Sequence, residues 1–318
     1  MTACLMTGGG TRYEMPELLE WELDYGCGTP CDSFRVVCLW NCADDAVLPD
    51  VIRFTAFQGQ EQVFAGVVDE CQVTWSTQGC RLEVSGRGMA ALLLDNEAQG
   101  LDYAVATLED ILNDHVLPYG IQVAQQEPLP AVERFSIDYG SSEWAVLYEF
   151  ACYYAGVTPR FDRQGRLILA RWRDEEQPKV IHDRVPVTGL SVRDKRYGVL
   201  SEIWVREAGK LPEMHKVVNG QFKDEGGQCR RMYTMPSKSN YQAMRYQGQY
   251  QLDKSAAEQL RLEVDIALPF CAWPGELVRL ERSGWGRNGL YRVAQATVSM
   301  DSAGYSTRLE LVRPDTLL

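Results

Sequence analysis

The chain has 318 residues, 45% of them hydrophobic and 24% charged, the composition of a folded globular protein and not of a disordered one. Its length exceeds the roughly 250–300 residues at which single cores stop growing, so two to four compact units are expected. The net charge of −12 is unevenly spread: residues 1–98 hold 5 Lys and Arg against 15 Asp and Glu, residues 99–185 hold 8 against 14, and residues 186–318 hold 19 against 15, which excludes from the first third the clustered cations that grip a phosphate backbone.

The first segment reads as short strands divided by Gly, Asp and Pro: Ser33 to Trp40, Val51 to Phe57, Gln62 to Val68, Gln72 to Trp75 and Arg81 to Ser85. Such close spacing predicts an antiparallel sandwich or barrel, with Gln78-Gly79 at a hairpin tip. An apolar run, Gly88 to Leu94, closes at Asp95-Asn96.

The middle changes period. Thr107 followed by Glu109 and Asp110 is a helix-start signature, and Leu108, Ile111, Leu112 and His115 or Val116 then share one face up to Pro118-Tyr-Gly120. A second helix is predicted from a Ser142 cap to Tyr154, with Trp144, Leu147, Tyr148 and Cys152 as its apolar stripe and Gly156 as its end. Val157 to Phe161 and Leu167 to Ala170 flank Asp162-Arg-Gln-Gly165 as a β-hairpin. This block is expected to be a small α+β unit.

Strand signals return at Gly189 to Val192 and Leu200 to Arg206, then at Leu260 to Leu268, Leu277 to Arg282, Leu290 to Val298 and Thr307 to Val312, with Pro274-Gly275, Asn288-Gly289 and Ala303-Gly304 at the bends. Between them the polar stretch from Gly209 to Gln251 shows little periodicity and is too long for an ordinary connection. It reads as an arm, a loop or a set of edge strands. The expected division is residues 1–98, 99–185 and 186–318, with the polar stretch as an insertion in the last.

No apolar run approaches the roughly 18 residues of a spanning helix, so no membrane contact is expected. The first ten residues lack the basic and apolar regions of a secretory signal, and cytoplasmic synthesis is the expectation. The ten cysteines are too sparse for a disulfide scaffold and are expected to be mostly buried free thiols. Cys27 and Cys31 with Cys38 and Cys42 could surround zinc, but two-residue spacing is the commoner arrangement, and buried thiols are preferred.

Catalytic signals are sparse. His115 falls on the amphipathic helix, where a satisfied half-buried histidine is the expectation, and His182 and His215 lie in polar connectors without a nucleophile motif. G-x-S-x-G, H-E-x-x-H and G-x-x-x-x-G-K-[ST] are absent. Asp69-Glu70, Asp44-Asp45 and Glu17, Glu20 and Glu22 supply carboxylates for glycoside hydrolysis, but neighbours on a regular strand face opposite ways, and solvated surface is the simpler reading. No cofactor or metal is expected.

Val63-Phe-Ala-Gly-Val-Val-Asp69, then Leu82-Glu-Val-Ser-Gly-Arg-Gly88 running into Met89-Ala-Ala-Leu-Leu-Leu-Asp95, resembles phage baseplate hub proteins of the late-control D type. Those proteins show a strand ending F-x-G-x-V, then S-G-R-D and a short helix; here Gly88 stands where the family usually has Asp. Ser142 to Leu167, Pro274 to Val278, Gly289 to Val293 and Gly304 to Leu311 continue the likeness in order. The motif residues it selects are Phe64, Gly66, Val68, Asp69, Gly86, Arg87, Asp95, Trp144, Gly165, Pro274, Gly275, Gly289, Tyr291, Gly304 and Thr307.

The resemblance implies a mainly β chain in which two tube-like antiparallel β-barrel domains flank a small α+β domain. It further implies a non-enzymatic homotrimer in the virion tail baseplate that seats the hexameric tail tube, or its initiator, on one side and the trimeric central spike on the other. Tape-measure and baseplate wedge proteins would be further contacts, with no specific nucleic-acid binding. Acidic residues 1–98 could face basic residues 186–318 of a neighbour around the ring, and an acidic channel wall would let DNA or cargo pass. The rival expectations are a tail-tip cell-wall hydrolase and a carbohydrate- or receptor-binding module, for which eight Trp and fifteen Tyr could supply stacking platforms.

Overall fold

The computed structural model describes residues 1–26, 31–77, 79–174, 177–207, 214–235, 241–257 and 259–316. The chain is mainly β with an α+β middle. Its first part holds β1 (Thr2–Thr7), β2 (Arg12–Glu14), β3 (Leu18–Gly26), β4 (Ser33–Leu39), β5 (Val51–Gln58), β6 (Glu61–Ser76) and β7 (Gly79–Gly88), then the short α1 (Ala91–Leu94). In β3, Trp21, Leu23 and Tyr25 are buried and alternate with Glu20, Glu22 and Asp24, the period-two pattern of a strand with one wet face. The two strands expected at Gln62 and Gln72 are one: β6 runs through, with a register shift between Val68 and Glu70. The predicted hairpin tip includes residue 78, outside the described residues.

The middle contains β8 (Asp102–Ala106), α2 (Leu108–His115), β9 (Val123–Gln126), β10 (Val132–Ser136), α3 (Glu143–Tyr148), β11 (Arg160–Phe161) and β12 (Leu167–Leu169). Thr107 and Asp110 form the capping box, each side chain bonded to the other's backbone N–H, and Ser142 caps α3 by accepting from Ala145 N. The second helix changes character halfway, because Glu149–Tyr154 is π-helical. β11 and β12 make the expected hairpin, and β9 joins it in parallel.

The last part holds β13 (Lys179–His182), β14 (Val187–Asp194), β15 (Glu202–Glu207), β16 (Met214–Val218), α4 (Gly220–Asp224), β17 (Arg230–Met235), α5 (Tyr241–Ala257), β18 (Leu260–Ile266), β19 (Leu277–Glu281), β20 (Gly289–Asp301) and β21 (Gly304–Val312). From the polar stretch, β16 and β17 pair on either side of β15, which precedes it, in a separate three-stranded sheet ordered β16-β15-β17. Ile203, Val205, Val217, Tyr233 and Met235 meet Leu252 of α5 in a small core of their own. The stretch is thus a packed element rather than a loop.

The strand-rich ends of the chain share one sheet, ordered β14-β18-β21-β20-β3-β4-β7-β6-β5-β1-β2, with β19 also paired to β20 and β13 to β19. Its centre is β3 against β20, with Met300 opposite Trp21 and Gln295 opposite Gly26. Gln295 and Thr297 both donate to the Asp24 carboxylate at 2.9 Å across this seam. The first core gathers Phe34, Phe54 and Phe64 with Val298 from β20; Phe34 and Phe54 stack with centroids 3.9 Å apart. The second lies under α2 and α3, and the third lies between β18, β19, β20 and β21.

Candidate assembly interface

The F-x-G-x-V strand has a packing reason. Phe64 is fully buried, and Gly66 faces it two residues on; a Cβ there would overlap the Arg87 carbonyl and crowd the Phe64 ring. A Cβ at Gly86 would likewise overlap the Val67 carbonyl and stand 2.7 Å from the Phe34 ring. These glycines let β6 and β7 approach while the rings lie over their backbone. Val68 flanks the same core. Beyond it the strand bulges at Asp69, so the regular alternation expected at Asp69-Glu70 does not hold, and the Asp69 side chain reaches Arg87 instead.

Arg87 grips two carboxylates. Its Nε and Nη2 donate to Asp69 at 2.7 and 2.9 Å, and its Nη1 and Nη2 donate to Asp95 at 3.0 and 2.7 Å. The planar guanidinium makes both pairs bidentate. Asp95 is the C-cap of α1, so this clasp ties β6 and β7 to the exit from the first sheet. The Arg87 fork holds the Asp95 carboxyl below its ordinary value and is itself raised by Asp69 and then Asp95.

Two glycine turns dock the other parts. Gly165, at φ 74°, would place a Cβ 2.5 Å from Met89 and 3.0 Å from Ala65, so the middle hairpin sits directly on the first sheet. Gln164 donates to the Gln62 carbonyl at 3.0 Å and Arg163 pairs with Glu61 at 3.0 Å beside it. Asp162 shapes the turn by accepting from Gln164 N and Arg166 N. At the Pro274-Gly275 turn, Gly275 lies under the Trp172 ring where a Cβ would overlap it, and Gly275 N bonds to Val293 O at 2.8 Å. Buried Arg292 completes the joint, donating to the Gly275 carbonyl at 2.8 Å, to Asp174 at 2.7 Å and to the Pro314 carbonyl at 2.6 Å.

The remaining motif residues hold local structure. Trp144 lies against Tyr148 and Phe161. Gly289 opens β20 opposite Leu280, Tyr291 donates to the Arg287 carbonyl at 2.7 Å, and Gly304 pairs with Asp301 at the next turn. Thr307 is buried, accepting from Phe270 N and donating to the Leu268 carbonyl. The sequence reading missed Trp172, Asp174 and Arg292; an aromatic flanked by arginines at Arg171-Trp-Arg173 was the available signal.

Between the docked parts run two adjoining clefts of about 300 and 280 Å³ that share Gly26, Asp32, Arg160 and Phe161. Arg160 stacks over Trp172 at 4.0 Å and Arg163 over Trp273 at 4.3 Å. Asp32 keeps some accessible surface but is enclosed by the cleft walls; burial pushes its carboxyl up to about 7, against the hydrogen bond from Gly26 N at 3.0 Å.

The outer face of the β16-β15-β17 sheet mixes cations with apolar side chains. Trp204 lies under Arg230 at 4.5 Å and beside Lys216 at 5.9 Å, with Met214, Val218 and Met232 exposed around it. Buried Glu202 accepts from Lys216 at 2.8 Å and Arg230 at 2.5 Å, with Lys223 at 3.5 Å. Lys216 first and then Arg230 hold its carboxyl down at about 2. Three cations to one carboxylate leave the face positive.

His115 is a satisfied core histidine, fully rather than half buried: its Nδ1 lies 2.6 Å from Glu143, which also accepts from Tyr119 at 2.9 Å, and its Nε2 lies 3.1 Å from Tyr103. His182 and His215 sit on strands β13 and β16, not in connectors. Of the nine cysteines described, only Cys4, Cys38 and Cys152 are buried, so the expectation of mostly buried thiols is corrected. Cys27 is outside the described residues, while Cys38 lies in the first core and Cys42 meets Cys80. No group of three or more His, Cys, Asp or Glu that could hold a metal occurs among the described residues. No helix among them is long and apolar enough to cross a membrane.

Residues 90–171 match the family model of the second domain of the baseplate hub protein gp44-like. The whole fold is similar to the tail protein from Neisseria meningitidis MC58, at 17% identity and TM-score 0.78 over 99% of this chain and 96% of that one. It is equally similar to the 43 kDa tail protein of prophage MuSo2 from Shewanella oneidensis, at 18% identity and TM-score 0.78 over the full length of both. The E. coli c3393 protein, described as a type VI secretion component with structural similarity to the T4 tail proteins gp27 and gp5, shares 16% identity and TM-score 0.58 over 93% of this chain and 73% of its own. No curated protein sequence matches the chain closely. The chain thus has the fold of phage tail proteins, and its middle segment is similar to the second domain of a baseplate hub.

Proposed function

We propose that this protein is the baseplate hub of a contractile phage tail or a related injection particle, a homotrimeric adapter between the hexameric tail tube and the trimeric central spike. The observation that carries the reading is the match of residues 90–171 to a baseplate hub second domain within a chain whose whole length has a tail-protein fold. The proposed division is residues 1–98 and 186–318 as tube-like barrel domains of the late-control D type, with residues 99–185 between them. Such a part works by connection rather than catalysis, and its energetics lie in subunit interfaces. The glycine-seated joints at Gly165 and Gly275 suit it, because they lock the parts together without a hinge.

The positive face around Trp204, Lys216 and Arg230 is the proposed contact for the acidic surface of residues 1–98 of a neighbouring subunit. Tube initiator, tape-measure and baseplate wedge proteins are the further proposed partners. Light scattering on the purified protein, alone and with the spike encoded beside it, tests the reading. A mass of three chains, alone or only with spike, supports it; a monomer under both conditions refutes it. With Lys216→Glu and Arg230→Glu together, the trimer mass is expected to fall at physiological salt.

A further inference from the structure

We propose that Cys42 and Cys80 form an intramolecular disulfide when the folded protein meets a small-molecule disulfide such as oxidised glutathione. The two Sγ atoms lie 2.7 Å apart, inside the van der Waals contact of two sulfurs and within a short shift of the roughly 2.05 Å of a disulfide. Both thiols are free, and their approach is imposed from both sides by the backbone. The β4–β7 ladder, which pairs Leu39 with Arg81, extends one step further through Trp40 N to the Cys80 carbonyl at 2.9 Å. Immediately after it, Asn41 caps a 3-10 helix, Cys42–Asp50, by accepting from Ala43 N, and Trp40 Nε1 donates to Asp45 at 2.8 Å. Cys42 is therefore held as the first helical residue above the start of β7.

The chemistry is thiol–disulfide exchange. Cys42 is exposed and Cys80 half-buried, so the Cys42 thiolate attacks one sulfur of the reagent, forming a mixed disulfide and releasing one thiolate. Cys80, deprotonated in turn, attacks the Cys42 sulfur and displaces the second thiolate. The two protons from the protein thiols end on the released thiols, so the protein loses two hydrogens and the reagent gains two. The hydrogen bond to Cys42 holds the Cys80 thiol up at about 11, consistent with Cys80 as the second, proximity-driven sulfur. Cys38, in the core with its thiol raised by burial to about 11, is not open to the same attack.

The bond would close a loop spanning 38 positions that contains β5 and β6, and would restrain the unfolded chain accordingly. It would also fix the corner of the sheet where Trp75, opposite Cys80, stands 76% exposed. This inference does not depend on the hub reading.

The test treats the intact protein with oxidised glutathione, quenches with acid, alkylates and maps peptides by mass. The expected result is a Cys42–Cys80 linked peptide two hydrogens lighter than the pair of thiol peptides, reversed by dithiothreitol. A rise in Tm of roughly 5–10 °C should accompany it. Cys42→Ser and Cys80→Ser should each abolish the linked peptide while their reduced forms melt with the reduced parent. In Cys80→Ser, a glutathione adduct should remain on Cys42. Independent alkylation of both cysteines after oxidation, either one linked to a different cysteine, or a dimer on a non-reducing gel would overturn the proposal.

Discussion

The outer end of the Trp172 ring lies against Gly275, joining the connector that leaves the middle of the chain to the turn before β19. Gly275 is at φ 91°, a backbone conformation that also disfavours any side chain. Gly275→Ala should therefore incur strain and a clash, about 3 kcal/mol in all. Gly284, at φ 76° with nothing near its Cβ position, is the control: Gly284→Ala should cost about 1 kcal/mol. Urea denaturation of both variants checks the difference, and equal losses would show that the ring contact contributes nothing.

Arg87→Lys should weaken the junction between β7 and α1, because one ammonium cannot hold both Asp69 and Asp95 in a fork. The side chains are about a third to a half exposed, so solvent screening limits the loss to about 1 kcal/mol. A double-mutant cycle with Asp95→Asn should give a coupling of a few tenths of a kcal/mol that shrinks in high salt. Since Arg87 lowers the Asp95 carboxyl, that stabilisation is present above the ordinary carboxylate value and should be lost as pH falls below it.

Removing the carboxylate of the His115 pair should be much more costly. Glu143 and His115 are both nearly inaccessible, and breaking a buried pair strands the partner without its bond. Glu143→Ala is expected to cost about 3 kcal/mol, and Tyr119→Phe about 1 kcal/mol through one lost hydrogen bond. Chemical denaturation measures both.

Asp32 sets a pH dependence of the opposite sign to Asp95. Its folded-state carboxyl lies at about 7, above the reference of 3.8, so its contribution is fully present below about pH 4 and is lost as pH rises towards 7. Asp32→Asn retains an acceptor for Gly26 N and removes the charge. Its stability relative to the parent should rise between pH 4 and 8; a constant difference across that range would contradict the enclosure of Asp32.

Local signals in the sequence led to correct local structure. Thr107 with Asp110, and Ser142 before Glu143, satisfy orphan helix N–H groups within a few residues, so their chemistry is visible in order. The Asp162–Gly165 turn was equally legible, but not what it rests on, because Ala65 and Met89 are remote in sequence. Strand β3 carried a clear alternation at Trp21, Leu23 and Tyr25 that the reading passed over. Strand β15 was legible as Leu200 to Arg206, but its partners β16 and β17 were obscured because they bear Lys216, Arg230 and Met232 on the outer face, giving segments that read as polar loop. The contacts that join the parts of the chain, Arg87 with Asp69, Trp172 with Gly275 and Gln295 with Asp24, depend on strand register and tertiary docking, which no local pattern encodes.

The central claim is that three copies of this chain make a ring that adapts six-fold to three-fold symmetry. Class averaging of negative-stain images of the purified protein mixed with its neighbouring spike tests it most directly. The account predicts a closed ring built from three chains, with six similar lobes around a central opening and the spike on one face. Averages showing isolated single chains, or rings whose lobes do not come in two per chain, would contradict it.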